Sequence, residues 1–303
     1  MNSPSSIKDL IEARLEALQA GNRLSAWSLI VSFMGDAISP RGGLVSAGAV
    51  QALMARLGIG HGAVRTAVSR LSADGWIERQ REGRNSFYRL SPEVTETVRA
   101  AEARIYAWAS LLPSDTPMTL VIGADAFDDA AHERLMSLDA LLLDARIALC
   151  FTAPEDLPRA LHPPVATLAA TSFVDPGVAG TERIAEARQW ADLQVFCAAY
   201  EPVLRVLDRQ PELAGEDAMA LRCLLIHEWR RIALKILPVP PGLLLAEDPE
   251  SRARRLAAAI YDRLKVASEA WLDAHACTRA GPLPPRDQRF AERFQQDYVT
   301  KTD

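Results

Sequence analysis

The residues best equipped for chemistry lie on a helix expected at His61 to Asp74. With Val64 at 0° and about 100° per residue, Val68, Leu71 and Ala67 share one apolar face. Gly62, Thr66 and Ser69 fall opposite, with Arg65 and Arg70 on the flanks. A helix entering a DNA major groove needs this surface. Small or hydroxylic side chains allow close approach, and flanking arginines reach guanine edges or phosphates. Four more arginines, Arg79, Arg81, Arg84 and Arg89, sit on or beside REGRN, a charged tip between WIERQ and SFYRL. No core needs them there, and phosphate or minor-groove contact is their natural use. The expected DNA-contact set is Arg41, Gly62, Arg65, Thr66, Ser69, Arg70, Arg81, Arg84, Asn85 and Tyr88.

A second constellation is HEWRR at 227–231. On a helix over about 217–237, Glu228 shares a face with Leu221, Leu225 and Ile232. A carboxylate on an apolar face must be paired or neutralised. Arg231, three residues on, is within reach. Two readings stay open. One is a buried Glu228–Arg231 pair that fixes helix register. The other is the edge of an anion-binding pocket built from His227, Arg230 and Arg231, with Trp229 as a wall. The zinc signature H-E-x-x-H fails, because Arg231 stands where the second histidine belongs. No P-loop, Rossmann fingerprint or nucleophile elbow occurs, so neither metal, cofactor nor enzymatic activity is expected.

These residues need elements to hold them. An amphipathic helix over 5–20 carries Ile7, Leu10, Ile11, Leu15 and Leu18 on one stripe, capped by Ser6. Helices follow at 26–37, from Ser46 to Gly58 and at 61–74, and then the two short strands. Three helices and a hairpin in that order make a winged helix-turn-helix. A helix over 92–111 leads out, ended by Pro113 and Pro117. MTLVIG, RIALCF and VATLAATSFV are strand candidates around a helix at 128–143. Helices then run over 182–209, 217–237, 249–275 and 286–296.

The 303 residues suit two or three domains, and 49% hydrophobic with 24% charged is ordinary for a soluble globular chain. No apolar run reaches the ~18–20 residues a spanning helix needs, so no membrane is expected. The charged N-terminus lacks a signal-peptide core, so a cytoplasmic address is expected. Cys150, Cys197, Cys223 and Cys277 are far apart and expected to be buried small hydrophobes. Net charge is −5, yet residues 25–90 carry +4, which leaves −9 elsewhere. A basic segment on an acidic body is made for a polyanion.

The stretch from GDAISPRGG through VRTAVSRL and DGW to the REGR-x-S-x-Y-x-L wing resembles the N-terminal domain of the PaaX family, repressors of phenylacetic acid catabolism. LRCLLIHEWRRIALKILPVPPGLL, followed by an arginine-rich helix ending in AAAIYDRL, resembles the family's C-terminal domain. The resemblance implies an α+β protein: an N-terminal winged helix-turn-helix, a small ferredoxin-like α/β middle domain and an α-helical C-terminal domain. The expected boundaries are 1–24 for an N-terminal arm, 25–91, a linker helix at 92–112, 113–178 and 179–303. It further implies a homodimeric repressor that binds double-stranded operator DNA. An acyl-CoA such as phenylacetyl-CoA would release it, with His227, Trp229, Arg230 and Arg231 at the effector site. Two alternatives stand beside it: a winged-helix regulator with a different small-molecule effector, and an acyl-CoA-acting enzyme fused to a winged helix.

Overall fold

Capping residues set the first elements. Ser6 and Asp9 bond each other's backbone amides in a capping box that opens the first helix, and Ser25 and Ser91 cap two later ones. A computed structural model describes residues 6–21, 23–157, 164–170, 177–210, 212–245 and 248–295. Its elements in the N-terminal part are α1 (Ile7–Ala20), α2 (Ala26–Phe33), β1 (Leu44–Ser46), α3 (Ala47–Arg56), α4 (His61–Ala73), β2 (Ile77–Glu82), β3 (Asn85–Leu90) and α5 (Pro92–Ile105). There follow β4 (Met118–Gly123), α6 (Asp129–Ser137), β5 (Leu141–Asp144), β6 (Ile147–Cys150), β7 (Pro164–Ala170) and α7 (Gly177–Ala187). The chain continues with α8 (Trp190–Arg209), α9 (Gly215–Ala233), α10 (Glu250–His275), β8 (Cys277–Thr278), β9 (Gly281–Pro282) and α11 (Gln288–Glu292). The class is α+β, mixing helices with small antiparallel sheets.

The chain forms two compact units. One spans Met1–Trp108, Val195–Leu234 and Arg252–Asp303; the other spans Ala109–Gln194 and Lys235–Ser251. This division differs from the expected boundaries: most of α8, α9 and α10 belong to the unit that holds α1 to α5. The physical reason is ionic and apolar at once. The α1 stripe of Ile7, Leu10, Ile11, Leu15 and Leu18 is buried, and Arg14 on the same helix donates to Glu228 of α9. Arg56 of α3 donates to Asp217 of α9 at 2.7 Å. The segment expected as an N-terminal arm is therefore packed into this unit through α1.

Asp36 is the densest knot in this unit. It lies in a π turn, Met34–Ile38, that continues α2. Its carboxylate accepts from Arg222 at 2.7 Å, Tyr106 at 2.6 Å, Tyr261 at 2.8 Å and Arg293 at 3.0 Å. Burial alone would push this carboxyl up; Arg222, Arg293 and the two tyrosine hydroxyls outweigh it and hold it below the ordinary carboxylate range. The expected helix over 92–111 stops at Ile105 for a related reason. Trp229 Nε1 takes the Ile105 carbonyl at 2.8 Å and Arg254 takes those of Arg104 and Ala107, so tertiary donors replace the next turn.

The other unit is a four-stranded antiparallel sheet of order β5-β6-β4-β7. Val121, Leu135, Ala140, Ala148 and Cys150 form one core cluster, and Leu141, Leu149, Ile184, Leu237, Val239 and Leu243 another. The helix expected over 128–143 ends at Ser137, and LLLD is strand β5. A short apolar run does not separate helix from strand by periodicity, and Asp139 at φ 51° makes the turn between them. The helix expected over 182–209 breaks at Gln189, φ 58°. Beside the break Arg188 is buried, donating to Asp248 at 2.8 Å and to the Leu237 carbonyl at 2.9 Å, and paired with Glu250.

Candidate nucleic-acid interface

Helix α4 starts at Gly60 and buries Val64, Ala67, Val68 and Leu71. This leaves Gly62, Arg65, Thr66, Ser69 and Arg70 exposed, the division that a 3.6-residue turn requires. Thr66 Oγ1 donates to the Gly62 carbonyl at 3.0 Å, and Arg70 lies 3.5 Å from Asp74. Behind α4, β1, β3 and β2 form a three-stranded sheet. Glu82 faces Asn85 across a two-residue tip, where Gly83 takes φ 56°, a backbone state that costs other residues strain. On β2, Arg79 opposes Tyr88 and Arg81 opposes Ser86, and Arg79 donates to Ser86 Oγ at 3.0 Å. A groove of about 920 Å³ runs between α4 and this hairpin. Its walls include His61, Gly62, Arg65 and Ser69 on one side and Arg79, Arg84, Asn85 and Tyr88 on the other. Three guanidinium groups around a concavity bordered by glycine and serine can hold phosphates and admit a base edge.

Thr66, Arg70 and Arg81 of the expected contact set are exposed but do not line the groove, and two other members are placed differently again. Tyr88 is buried and borders the groove from the sheet. Arg41 does not face the groove at all. It is buried, with Nε donating to the Pro284 carbonyl at 2.9 Å and guanidinium nitrogens on Glu269 at 3.2 Å and Asp273 at 2.6 Å. Its role as a DNA contact is withdrawn, because those acceptors occupy its donors. His61 and Gln51 also line the groove. Helical periodicity from Val64 places His61 at the groove's margin, which is a signal the sequence contained.

A family model described as PaaX-like protein matches residues 25–94, and one described as PaaX-like protein C-terminal domain matches 186–274. The Transcriptional repressor PaaX of Escherichia coli (strain K12) is 33% identical over 297 residues, covering 89% of this chain and 90% of that protein. The chain belongs to the PaaX family. It is a transcription regulator rather than an enzyme.

In this PaaX-family chain the HEWRR segment is part of the packing. Glu228 is not paired with Arg231; it accepts from Arg14 Nε at 3.1 Å and Tyr200 at 2.7 Å. His227 is buried, with Nδ1 3.3 Å from Ser32 Oγ and Nε2 3.2 Å from the Arg23 carbonyl. Burial pushes its imidazole down to about 4, with the neighbouring Arg230 and Arg231 charges acting in the same direction. Trp229 is fully buried beneath the Arg254 guanidinium, 5.1 Å from the ring centre. Arg230 donates to Ser32 Oγ at 2.8 Å and Ser28 Oγ at 2.7 Å, while Arg231 is exposed. The cavity beside Arg230 measures about 50 Å³, against about 300–1,000 Å³ for a ligand pocket. His227, Arg230 and Arg231 therefore tie α9 to α2 and its approach, Trp229 ties it to α5 and α10, and the four do not converge on an open site. Periodicity placed Glu228 on the apolar face correctly, but could not supply a partner 214 residues away.

Cys150, Cys197 and Cys223 are buried, as expected, but Cys277 is exposed and borders the groove. Among the described residues there is no cluster able to hold a metal ion, and no helix is long and apolar enough to cross a membrane.

Proposed function

We propose that this chain is a cytoplasmic repressor that reads double-stranded operator DNA through α4, with the β2–β3 hairpin as the wing of a winged helix-turn-helix. The observation that carries this reading is the surface of α4, where Gly62, Thr66 and Ser69 lie exposed between Arg65 and Arg70, and Gly62, Arg65 and Ser69 line a groove whose other wall is a hairpin edged with arginine. The relative named as a transcriptional repressor supports it. One reading helix covers only a few base pairs. A homodimer presenting two half-sites about one DNA turn apart, ~34 Å, is the usual remedy. The four-stranded sheet is read as a ferredoxin-like unit on its strand order, with the first and third strands central.

The wing is assigned to phosphate. Arg81→Ala and Arg84→Ala should each weaken binding to every sequence and flatten the slope of log K against log salt by about 0.9. Titrations of labelled duplex at several salt concentrations check this; unchanged slopes in both variants would place the wing off the DNA.

The effector is proposed to be an acyl-CoA, phenylacetyl-CoA first, on the resemblance to repressors of phenylacetic acid catabolism. A pocket closed to about 50 Å³ beside Arg230 means HEWRR would have to open before it touched such a ligand. Binding to the folded protein should raise its melting temperature, by about 2.7 kcal/mol of stability at a hundredfold excess over Kd, and should release bound DNA. A panel of acyl-CoAs with free coenzyme A as control tests this. Response to none of them would leave a regulator of a different effector class.

A further inference from the structure

Beyond α10 the chain turns back to the sheet that carries the wing. Cys277 pairs with Pro282 and Thr278 with Gly281, which leaves Arg279 and Ala280 at the tip of a second, smaller hairpin. The Ala280 amide donates to Thr278 Oγ1 at 3.2 Å, closing the tip. Arg279 is half exposed, and its Nη1 donates to Gln80 Oε1 at 3.4 Å while Nε lies 3.7 Å from Glu82 Oε2. Glu82 is the last residue of β2, directly before the Gly83–Arg84 tip. Gln80 and Glu82 share one face of the wing, and Arg79 and Arg81 share the other. The small hairpin therefore lies along the face that the reading groove does not use, while Cys277 at its base borders that groove.

The position is held firmly. Buried Arg41 donates to the Pro284 carbonyl and pairs with Glu269 and Asp273 near the end of α10. Gly42 lets Pro284 approach: a Cβ there would meet Pro284 Cγ at 3.2 Å, on a backbone at φ 83°. So the PRGG turn, which sequence reasoning assigned partly to DNA, anchors the second hairpin instead.

We infer that this C-terminal hairpin is a second prong of the nucleic-acid interface, with Arg279 contacting a backbone phosphate beside the Arg84 tip. The inference rests on the DNA-binding reading above. An exposed ion pair such as Arg279–Glu82 adds little to folding, so stability does not explain the arrangement. Electrostatics does. A bare carboxylate next to a phosphate-facing tip repels the polyanion, and Arg279 is placed to neutralise it. A guanidinium carries five donors. One to Gln80 and one towards Glu82 leave donors for a phosphate oxygen.

The test uses the full chain, a labelled duplex of random sequence and a series of salt concentrations. Arg279→Gln should bind several-fold more weakly and flatten the log K against log salt slope by about 0.9, with an unchanged melting temperature. Glu82→Gln separates contact from screening. If Arg279 touches phosphate, the double variant binds more weakly than Glu82→Gln alone. If the double variant matches Glu82→Gln, Arg279 only screens, and the proposal is overturned. A parental slope in Arg279→Gln overturns it as well. Failure of the parent chain to bind duplex even at low salt would remove the DNA-binding reading and this inference together.

Discussion

Asp36→Asn is expected to lower folding stability by about 3–5 kcal/mol, the cost of leaving buried charges without their partner. Arg222 and Arg293 both rest on that carboxylate, and neither has solvent to turn to. Glu269 and Glu102 hold the far sides of the two guanidinium groups, but they cannot follow them to Asp36. Asparagine keeps the shape and offers one acceptor oxygen, so the loss is electrostatic rather than steric. Thermal unfolding should show a midpoint lower by about 10 °C or more. Arg231→Ala, at an exposed position, should stay within about 0.5 kcal/mol of the parent. A melt of Asp36→Asn that overlays the parent's would show that the knot does not hold the unit together. The sign of the pH dependence follows from the same contacts. The folded carboxyl sits below its unfolded value, so its contribution is present above the unfolded pKa. It is lost as pH falls through the folded one. Asp36→Asn should accordingly be less sensitive to acid than the parent.

How far the chain could be read in advance depended on whether the deciding contact was local. The faces of α4 follow from a 3.6-residue period and its Gly75 stop, and the wing from two short strands joined by the REGRN tip, so Arg65, Thr66, Ser69 and Arg70 were legible as an exposed set. Glu228 was legible as lying on the apolar face but not as the partner of Arg14, because no periodicity reaches across 214 residues. Arg41 misled for a similar reason. An arginine in a glycine-rich turn looks free until Glu269, Asp273 and Pro284 arrive from the other end of the chain. The contact-based units differ from the expected division where the chain returns to a unit already begun. Helices α9 and α10 are apolar enough to suggest a domain of their own, yet their buried arginines, Arg222 and Arg254, are matched by Asp36 and by the carbonyl end of α5. LLLD at 141–144 was ambiguous on its own terms, and pairing with β6 settled it as a strand.

Arg65→Ala and Arg70→Ala are expected to cost about 1–3 kcal/mol each on the operator, if each reads a base edge, and together about 2–6 kcal/mol if the sites are independent. Both side chains leave the same exposed face, on either side of Thr66 and Ser69. Arg70 is 3.5 Å from Asp74, with both side chains well exposed, and such a pair is weak enough to yield to a guanine. The loss on random duplex should be smaller, because only phosphate contacts are available there. The two hairpins behave in the opposite way. Removing Arg81, Arg84 or Arg279 should lower affinity for all sequences alike and reduce the salt slope. The two groups of residues are thus separated by the ratio of operator to random affinity, measured at one salt concentration on an operator selected from random sequence with the parent protein. If both variants keep the parent's ratio, neither Arg65 nor Arg70 reads a base edge. Thr66 and the polar groups on the groove, His61, Ser69, Gln51 and Asn85, would then be side chains left to read bases.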